Sequence, residues 1–482
     1  MRGGYWVMGI GVAIRFLGFV KSLVFANFLL VQDLGLLAIA MMLIEILGVF
    51  FETGFNEKLV QERKEIRTYL DTAWTIHICR GLVMFLILFA AAPIAASLKV
   101  PPEKFSLTVN VIRSIGFALF LASLENVGTV YLQKELNFPR IFLLRVPPVL
   151  IDLSVSALVV FFFRSIWGYV AGRFSSVLVQ VALSYLLCPY RPRFCLNWQK
   201  AVQMWRFGKW IFGLSVLNFL ISEGDDFFVW GYLGVSALAL YRYAFRFSNL
   251  PATDLTNTLS QVTFPAYSKI QDDIPRLREA YLKVLRVTAF FAFLASGLIF
   301  SLGPDFVRLF LKADMHPMIP AMQIMVFKGL FRSLGATRGP LFLALGKPKI
   351  HFYFQVIRFV LLAVLIYPLT SRWGIEGTAV ATLLIAVLVS PFGFWLSCRW
   401  LNCPPWRMLE SSLIPLVSFL VTVSILLFLR SVTARMSPFL FVGYFLLALA
   451  CYGGTALLLD CLKGFELLSI FKEQLRALVK NK

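Results

Sequence analysis

The chain's 482 residues are 59% hydrophobic and only 15% charged, with a mean hydropathy of +0.79, which excludes an ordinary soluble domain and marks a polytopic membrane protein. Its 46 Lys and Arg outnumber 25 Asp and Glu, for a formal net charge of +21 at pH 7. Seven cysteines with no CxxC or Cys/His cluster, and three histidines far apart (His77, His316 and His351), argue against a disulfide framework or a zinc site.

Apolar windows of about 20 residues follow one another near 5–30, 34–54, 72–97, 105–131, 141–163, 166–189, 210–231, 236–264, 287–310, 318–345, 350–370, 374–397, 409–429 and 438–460. The runs are long and do not alternate polar with apolar. They predict an all-α protein of about 14 transmembrane helices rather than barrel strands. Tyr5 opens a span-length segment and no small-residue cleavage site precedes a soluble domain, so no cleavable leader is expected. With the N-terminus placed inside, about 26 basic residues fall in cytoplasmic loops and termini, about 7 in external loops and about 13 within spans. The inner set includes Lys58, Arg63, Lys64, Arg67, Arg191, Arg193, Lys200, Arg206, Arg276, Arg278 and Lys283. The charge therefore reports topology, with both termini cytoplasmic, in preference to a nucleic-acid role.

The chain repeats itself at a spacing of roughly 204–209 residues. Leu29-x-Val31-x-x-Leu34-x-Leu36 returns as Leu233-x-Val235-x-x-Leu238-x-Leu240, Pro139-Arg140-Ile141 as Pro348-Lys349-Ile350, and Trp167-Gly168 as Trp373-Gly374. An even number of spans per copy gives both copies the same orientation, so a pseudo-twofold along the membrane normal is expected, with a substrate site where the lobes meet. The expected organisation is a six-helix lobe over 1–189, a basic cytoplasmic linker over 190–209, a second six-helix lobe over 210–400, and two additional spans over 401–460. The tail over 461–482 alternates Leu467, Leu468, Phe471, Leu475 and Leu478 with Lys472, Arg476 and Lys480, the pattern of an amphipathic helix on an anionic leaflet.

Arg15, Arg80, Arg113, Arg145, Arg242, Arg246, Lys328, Arg332 and Arg358 lie well inside apolar runs. A cation at mid-bilayer costs roughly 2.5–3.5 kcal/mol, so nine facing lipid would cost about 20–30 kcal/mol, above a typical domain stability of about 5–15 kcal/mol. Most are expected to face protein or a water-filled cavity. The first four each centre a different helix of the first lobe. Arg242 and Arg246, and likewise Lys328 and Arg332, share one helix face at i,i+4. Guanidinium groups match phosphate oxygens bidentately, so the set reads as a cavity for an anion. Internal ion pairing is the competing reading, because Glu45, Glu52, Glu125, Asp152, Glu223, Asp225, Asp226, Asp254 and Asp305 lie within or at the ends of spans. Asp225 and Asp226 either couple transport to protons or sodium or pair with Arg242 and Arg246. Glu45 and Glu52, i,i+7 on one face, are weaker coupling candidates. Asn126, Gln180, Asn218, Gln261 and Gln355 bind sugar hydroxyls or, more blandly, bridge helices. Pro147-Pro148, Pro251 and Pro340 break or kink their helices. No metal or other cofactor is expected.

Val31-Gln-Asp-Leu-Gly-Leu, Leu132-Gln-Lys-Glu-Leu-Asn-Phe, Trp205-Arg-Phe-Gly and Asp225-Asp226-x-x-x-Trp-Gly-Tyr-Leu-Gly form an ordered series. Tyr241-Arg-Tyr-Ala-Phe-Arg, Phe264-Pro-Ala-Tyr-Ser-Lys-Ile-Gln-Asp-Asp, Pro275-x-Leu-Arg-x-Ala-Tyr and Leu343-Ala-Leu-Gly-Lys-Pro continue it. Over roughly residues 25–400 the series resembles the Wzx-type polysaccharide flippases (polysaccharide biosynthesis proteins) of the MATE-like MOP superfamily. The resemblance implies two six-helix lobes with two additional helices. It implies movement of undecaprenyl-pyrophosphate-linked oligosaccharide across the bacterial inner membrane for O-antigen, exopolysaccharide or capsule synthesis, with no enzymatic activity. Its recurrence at Asp225-Asp226 favours a fixed pair there. Membrane lipids are implied partners, a polysaccharide polymerase and glycosyltransferases are candidate partners, and a monomeric transport unit is expected. Two other classes remain as alternatives. A MATE-like drug or cation antiporter would favour an acidic cavity. A glycan polymerase or ligase would need a sizeable external region, and the longest external loops here are only about seven residues.

Overall fold

The computed structural model describes residues 2–51, 67–135, 137–197, 216, 219–433 and 436–463, with backbone alone at 2–8, 67–69, 133, 134, 250–262, 265, 348, 349, 351 and 463. The tail from 464 onward, Glu52 and Asn218 lie outside the described residues, as do the side chains of Asp254, Pro251 and Gln261. Among the described residues the chain is helical without strands, and ten helices are long and apolar enough to cross a membrane. In chain order the helices are α1 (Arg2–Phe28), α2 (Val31–Phe50), α3 (Arg67–Ser97), α4 (Phe105–Ala122), α5 (Thr129–Lys134), α6 (Phe138–Phe163), α7 (Trp167–Leu187) and α8 (219–233). They continue with α9 (Val235–Lys269), α10 (Ile274–Phe310), α11 (Ile319–Ala336), α12 (Arg338–Ala344), α13 (Pro348–Trp400), α14 (Pro405–Val432) and α15 (Pro438–Lys463).

Each apolar window finds a helix, and the departures have local causes. The 105–131 window ends its long helix at Ala122; the 318–345 window divides at Thr337, three residues before Pro340, whose missing N–H cannot serve the preceding turn. By contrast α6 runs on through Pro147 and Pro148. The window 287–310 is only the later part of α10, which starts at Ile274 with Asp273 accepting a hydrogen bond from the Arg276 N–H (3.0 Å) and Pro275 in its first turn. Leu277, Tyr281, Leu282, Leu285 and Thr288 bury one stripe of that extension, and its charged opposite face lowers the local hydropathy.

The chain divides into two compact units, Met1–Leu240 and Tyr241–Lys482. Within the first, α7 packs closely on α6 because Gly168 and Gly172 present no Cβ. One added at Gly172 would meet the Ser156 hydroxyl and the Asp152 carboxylate. Within the second, α10 packs on α11, α14 and α15 around Phe293, Leu330, Phe419 and Tyr452, with the Tyr452 hydroxyl donating to the Phe290 carbonyl at 2.8 Å. The repeated sequence pairs fall at matching helix breaks. Trp167 opens α7 just after Arg164, which takes a left-handed φ of 48°, and Trp373-Gly374 (Gly374 φ 57°) is the break inside α13. Beyond it the halves of α13 close on each other through a Thr370–Thr378 hydrogen bond of 2.9 Å. Pro139 and Pro348 both lie in the first turn of their helices.

Candidate functional site

The first unit neutralises some of its membrane-level charge internally. Lys21 on α1 meets Asp152 on α6 at 2.6 Å, its ammonium 4.4 Å from the Tyr169 ring centroid on α7, and Ser156 donates to the same carboxylate at 3.2 Å. Lys104, just before α4, meets Asp33 on α2 at 2.6 Å. Neither lysine was among the cations expected from the sequence, because each acid lies far along the chain.

Arg113 on α4 has its guanidinium 4.0 Å from the Phe89 ring centroid and Nε donating to the Phe89 carbonyl at 3.4 Å. That carbonyl lies four residues before Pro93 inside α3, so no helical N–H reaches it, and the arginine supplies a donor where proline removed one. Arg145 is exposed on α6 and acts electrostatically on Glu125, which accepts a 2.8 Å hydrogen bond from Gln180. Arg80 on α3 acts on His77 one turn earlier, whose Nδ1 is 3.0 Å from the Ser123 carbonyl. Arg15 is half-buried on α1, and Glu45 half-buried on α2. Asp225 and Asp226 are buried on α8, with the Asp226 N–H donating to the Asp225 carboxylate at 3.2 Å. Asn126 is fully buried. Its amide donates to the Tyr190 carbonyl (2.7 Å) and accepts from the Gly128 N–H (2.8 Å), a bridging role.

The second unit gathers cations. On α13, Arg358 lies under the electrostatic influence of both Arg332 on α11 and Arg338 on α12. Arg358 donates to Gln355 at 3.2 Å, which aims the guanidinium from one turn away. Arg338 donates to the Ser390 carbonyl at 2.8 Å, and its guanidinium occupies the space a Cβ would take at Gly393, with Gly335 alongside. Like charges close to one another raise one another's cost. Nearby, Lys328 sits 5.1 Å from the Phe245 ring centroid, which brings α11 to α9. Phe245 stands between half-buried Arg242 and exposed Arg246 in the sequence of α9. Arg338 was not among the cations expected from the sequence, although it lies inside the 318–345 window. The glycines beside it were the available signal.

Among the described residues no group of three or more His, Cys, Asp or Glu is placed to hold a metal ion. Elsewhere in the second unit the Asp305 carboxylate joins α10 to Arg430 of α14 at 3.1 Å, a packing contact.

A family profile described as polysaccharide biosynthesis protein matches residues 24–320. The lipopolysaccharide biosynthesis protein WzxC of Escherichia coli strain K12 is 24% identical over 394 residues, covering 80% of this chain and 78% of that protein. Among solved structures, the lipid II flippase MurJ in an inward closed conformation superposes with a TM-score of 0.74 at 15% identity, covering 94% of this chain and 98% of the other. An inward-facing multidrug resistance MATE family transporter of the MOP superfamily superposes with a TM-score of 0.62 at 15% identity, covering 80% and 95%. At such identity these two likenesses speak to the fold alone.

Proposed function

Because the chain belongs to the polysaccharide biosynthesis protein family, we propose that it is a flippase for lipid-linked oligosaccharide, moving undecaprenyl-pyrophosphate-linked repeat units from the cytoplasmic to the outer leaflet of a bacterial inner membrane. We read it as a transporter rather than an enzyme. The observation that carries the substrate class is the Arg332–Arg338–Arg358 cluster in the second unit. Arg332 and Arg358 at membrane level offer guanidinium groups to a pyrophosphate, whose charge and paired oxygens suit bidentate donors, while Arg338 is held at the Ser390 carbonyl. Arg242, Arg246 and Lys328 extend the basic lining. In the first unit Arg15, Arg80 and Arg145 are the cations that remain candidates for the substrate path, while Arg113 is held at Phe89.

Transport proceeds by alternating access, with the polyprenyl chain left in lipid. An inside-negative potential favours outward movement of an anion by about 2.3 kcal/mol per charge per 100 mV, so export can draw on the potential without a coupled ion. Buried Asp225 and Asp226 are the first candidates for proton or sodium coupling, and Glu45 and Glu52 the weaker ones.

The MATE-like fold keeps a drug or cation antiporter as the second reading. Proteoliposomes decide between them. The flippase reading expects a fluorescent polyprenyl-pyrophosphate oligosaccharide to become accessible on the far leaflet, with no uptake of a cationic dye against a proton or sodium gradient. Dye uptake without lipid movement would replace it with the antiporter.

A further inference from the structure

Residues 188–197 follow α7 without helix, and Pro189 and Pro192 hold the backbone extended. The segment is nevertheless fixed. Backbone N–H groups of Arg193, Cys195 and Asn197 donate in alternation to the Asp71 carboxylate (2.8 Å), the Thr75 hydroxyl (3.0 Å) and the Thr72 hydroxyl (3.3 Å), all in the first turns of α3. The Tyr190 hydroxyl donates to the same Asp71 carboxylate, and buried Asn126 holds the Tyr190 carbonyl. Successive side chains of an extended strand point to opposite faces, so Phe194 and Leu196 share one face while Arg193, Cys195 and Asn197 share the other.

The apolar face is open: Phe194 is 72% and Leu196 58% exposed, though the Phe194 ring also lies 4.8 Å from that of Trp74. Arg193 is exposed on the opposite face and Arg191 at the start of the segment, its guanidinium also donating to the Cys188 carbonyl at 2.6 Å. The anchors Asp71, Thr72 and Thr75 lie at the start of the apolar span Leu70–Ser97, so the segment runs at the level where hydrocarbon gives way to headgroups. Aromatic and aliphatic side chains with neighbouring arginines at that depth suit an anionic leaflet.

We propose that residues 190–197 form an interfacial strap, latched by its backbone to α3, whose Phe194 and Leu196 enter the inner leaflet while Arg191 and Arg193 bind anionic phospholipid headgroups. The proposal rests on the reading above only for its cytoplasmic placement. It holds the start of the segment between the repeats against the first unit, so that the lipid contact is made by a fixed surface.

The test is site-directed spin labelling of the full chain in nanodiscs, with Cys79, Cys451 and Cys461 replaced by Ser, Cys195 kept only where it carries the label, and single labels at 193, 194, 195 or 196. Labels at 194 and 196 are expected to collide with lipid-soluble oxygen more than with a water-soluble nickel chelate, and labels at 193 and 195 the reverse. Adding phosphatidylglycerol to phosphatidylcholine should immobilise the labels at 194 and 196, and Arg191→Gln with Arg193→Gln should abolish that response. Equal nickel access at all four positions would overturn the proposal and mark a surface for a soluble partner. So would an unchanged spectrum when the anionic lipid is added. The measurement reads lipid contact rather than transport, so failure of the flippase reading leaves its outcome intact.

Discussion

Membrane-level charge in this protein is handled in two ways at the residue scale. Lys21 is satisfied by Asp152, Ser156 and the Tyr169 ring, whereas Arg358 shares its surroundings with two further arginines. The difference separates stability from binding. Lys21→Met leaves the half-buried Asp152 carboxylate without its cation and should destabilise the first unit by up to about 3 kcal/mol, while Lys21→Met with Asp152→Leu should recover most of the loss. Thermal unfolding of the detergent-solubilised variants measures both; a double variant no better than the single would remove the pairing argument. Spacing inside apolar runs exposed Arg332 and Arg358 as candidates, since a charge in hydrocarbon is conspicuous by cost alone. Lys21 escaped notice because its partner lies 131 residues away, a distance no local pattern encodes. Arg338 escaped because what holds its guanidinium, the Ser390 carbonyl and the space left at Gly393, lies more than fifty residues further along the chain.

Long apolar runs are the strongest signal at the scale of elements, and every window identified from hydropathy corresponds to a helix. What hydropathy cannot register is a break made by backbone chemistry, as at Thr337 ahead of Pro340, or a helix extended on an amphipathic face, as α10 is over its first turns. The α6–α7 contact depends on absent side chains. Gly172→Ala places a methyl group against Ser156 and the Asp152 backbone, where relief requires the helices to part, so a cost of about 1–3 kcal/mol is expected. Gly453→Ala, with nothing within 4 Å of the added Cβ, serves as the control and should leave the melting temperature unchanged or raised. Equal effects of the two substitutions would show that the close approach of α6 and α7 contributes nothing measurable.

Topology and charge become one question for the whole molecule. The excess of Lys and Arg in loops assigned to the cytoplasm predicts the side on which residues 190–197 lie. Cys195 is exposed there, while Cys403, between α13 and α14, is buried, and that burial pushes its thiol pKa up against the lowering pull of Arg278 and Arg407. In a background lacking Cys79, Cys451 and Cys461, a membrane-impermeant maleimide should modify Cys195 in inverted vesicles and not in spheroplasts. Cys403 should stay unmodified near neutral pH, because a raised pKa keeps the thiol protonated, and gain reactivity only as the pH rises. Labelling of Cys195 from outside would invert the assigned orientation. The pairs Trp167-Gly168 and Trp373-Gly374 were legible because each stands at a helix break. The grouping of cations was only partly legible, because it depends on which helices meet.

The central claim is that arginines of the second unit bind the anionic headgroup during transport, and flipping of a fluorescent polyprenyl-pyrophosphate oligosaccharide in proteoliposomes tests it most directly. Loss of one charge-assisted contact worth about 1.5–3 kcal/mol corresponds to roughly a tenfold or greater loss of headgroup affinity. Arg332→Ala and Arg358→Gln should each slow flipping at subsaturating substrate by about that factor, with monodisperse, normally melting protein. Wild-type rates in both variants would contradict the claim.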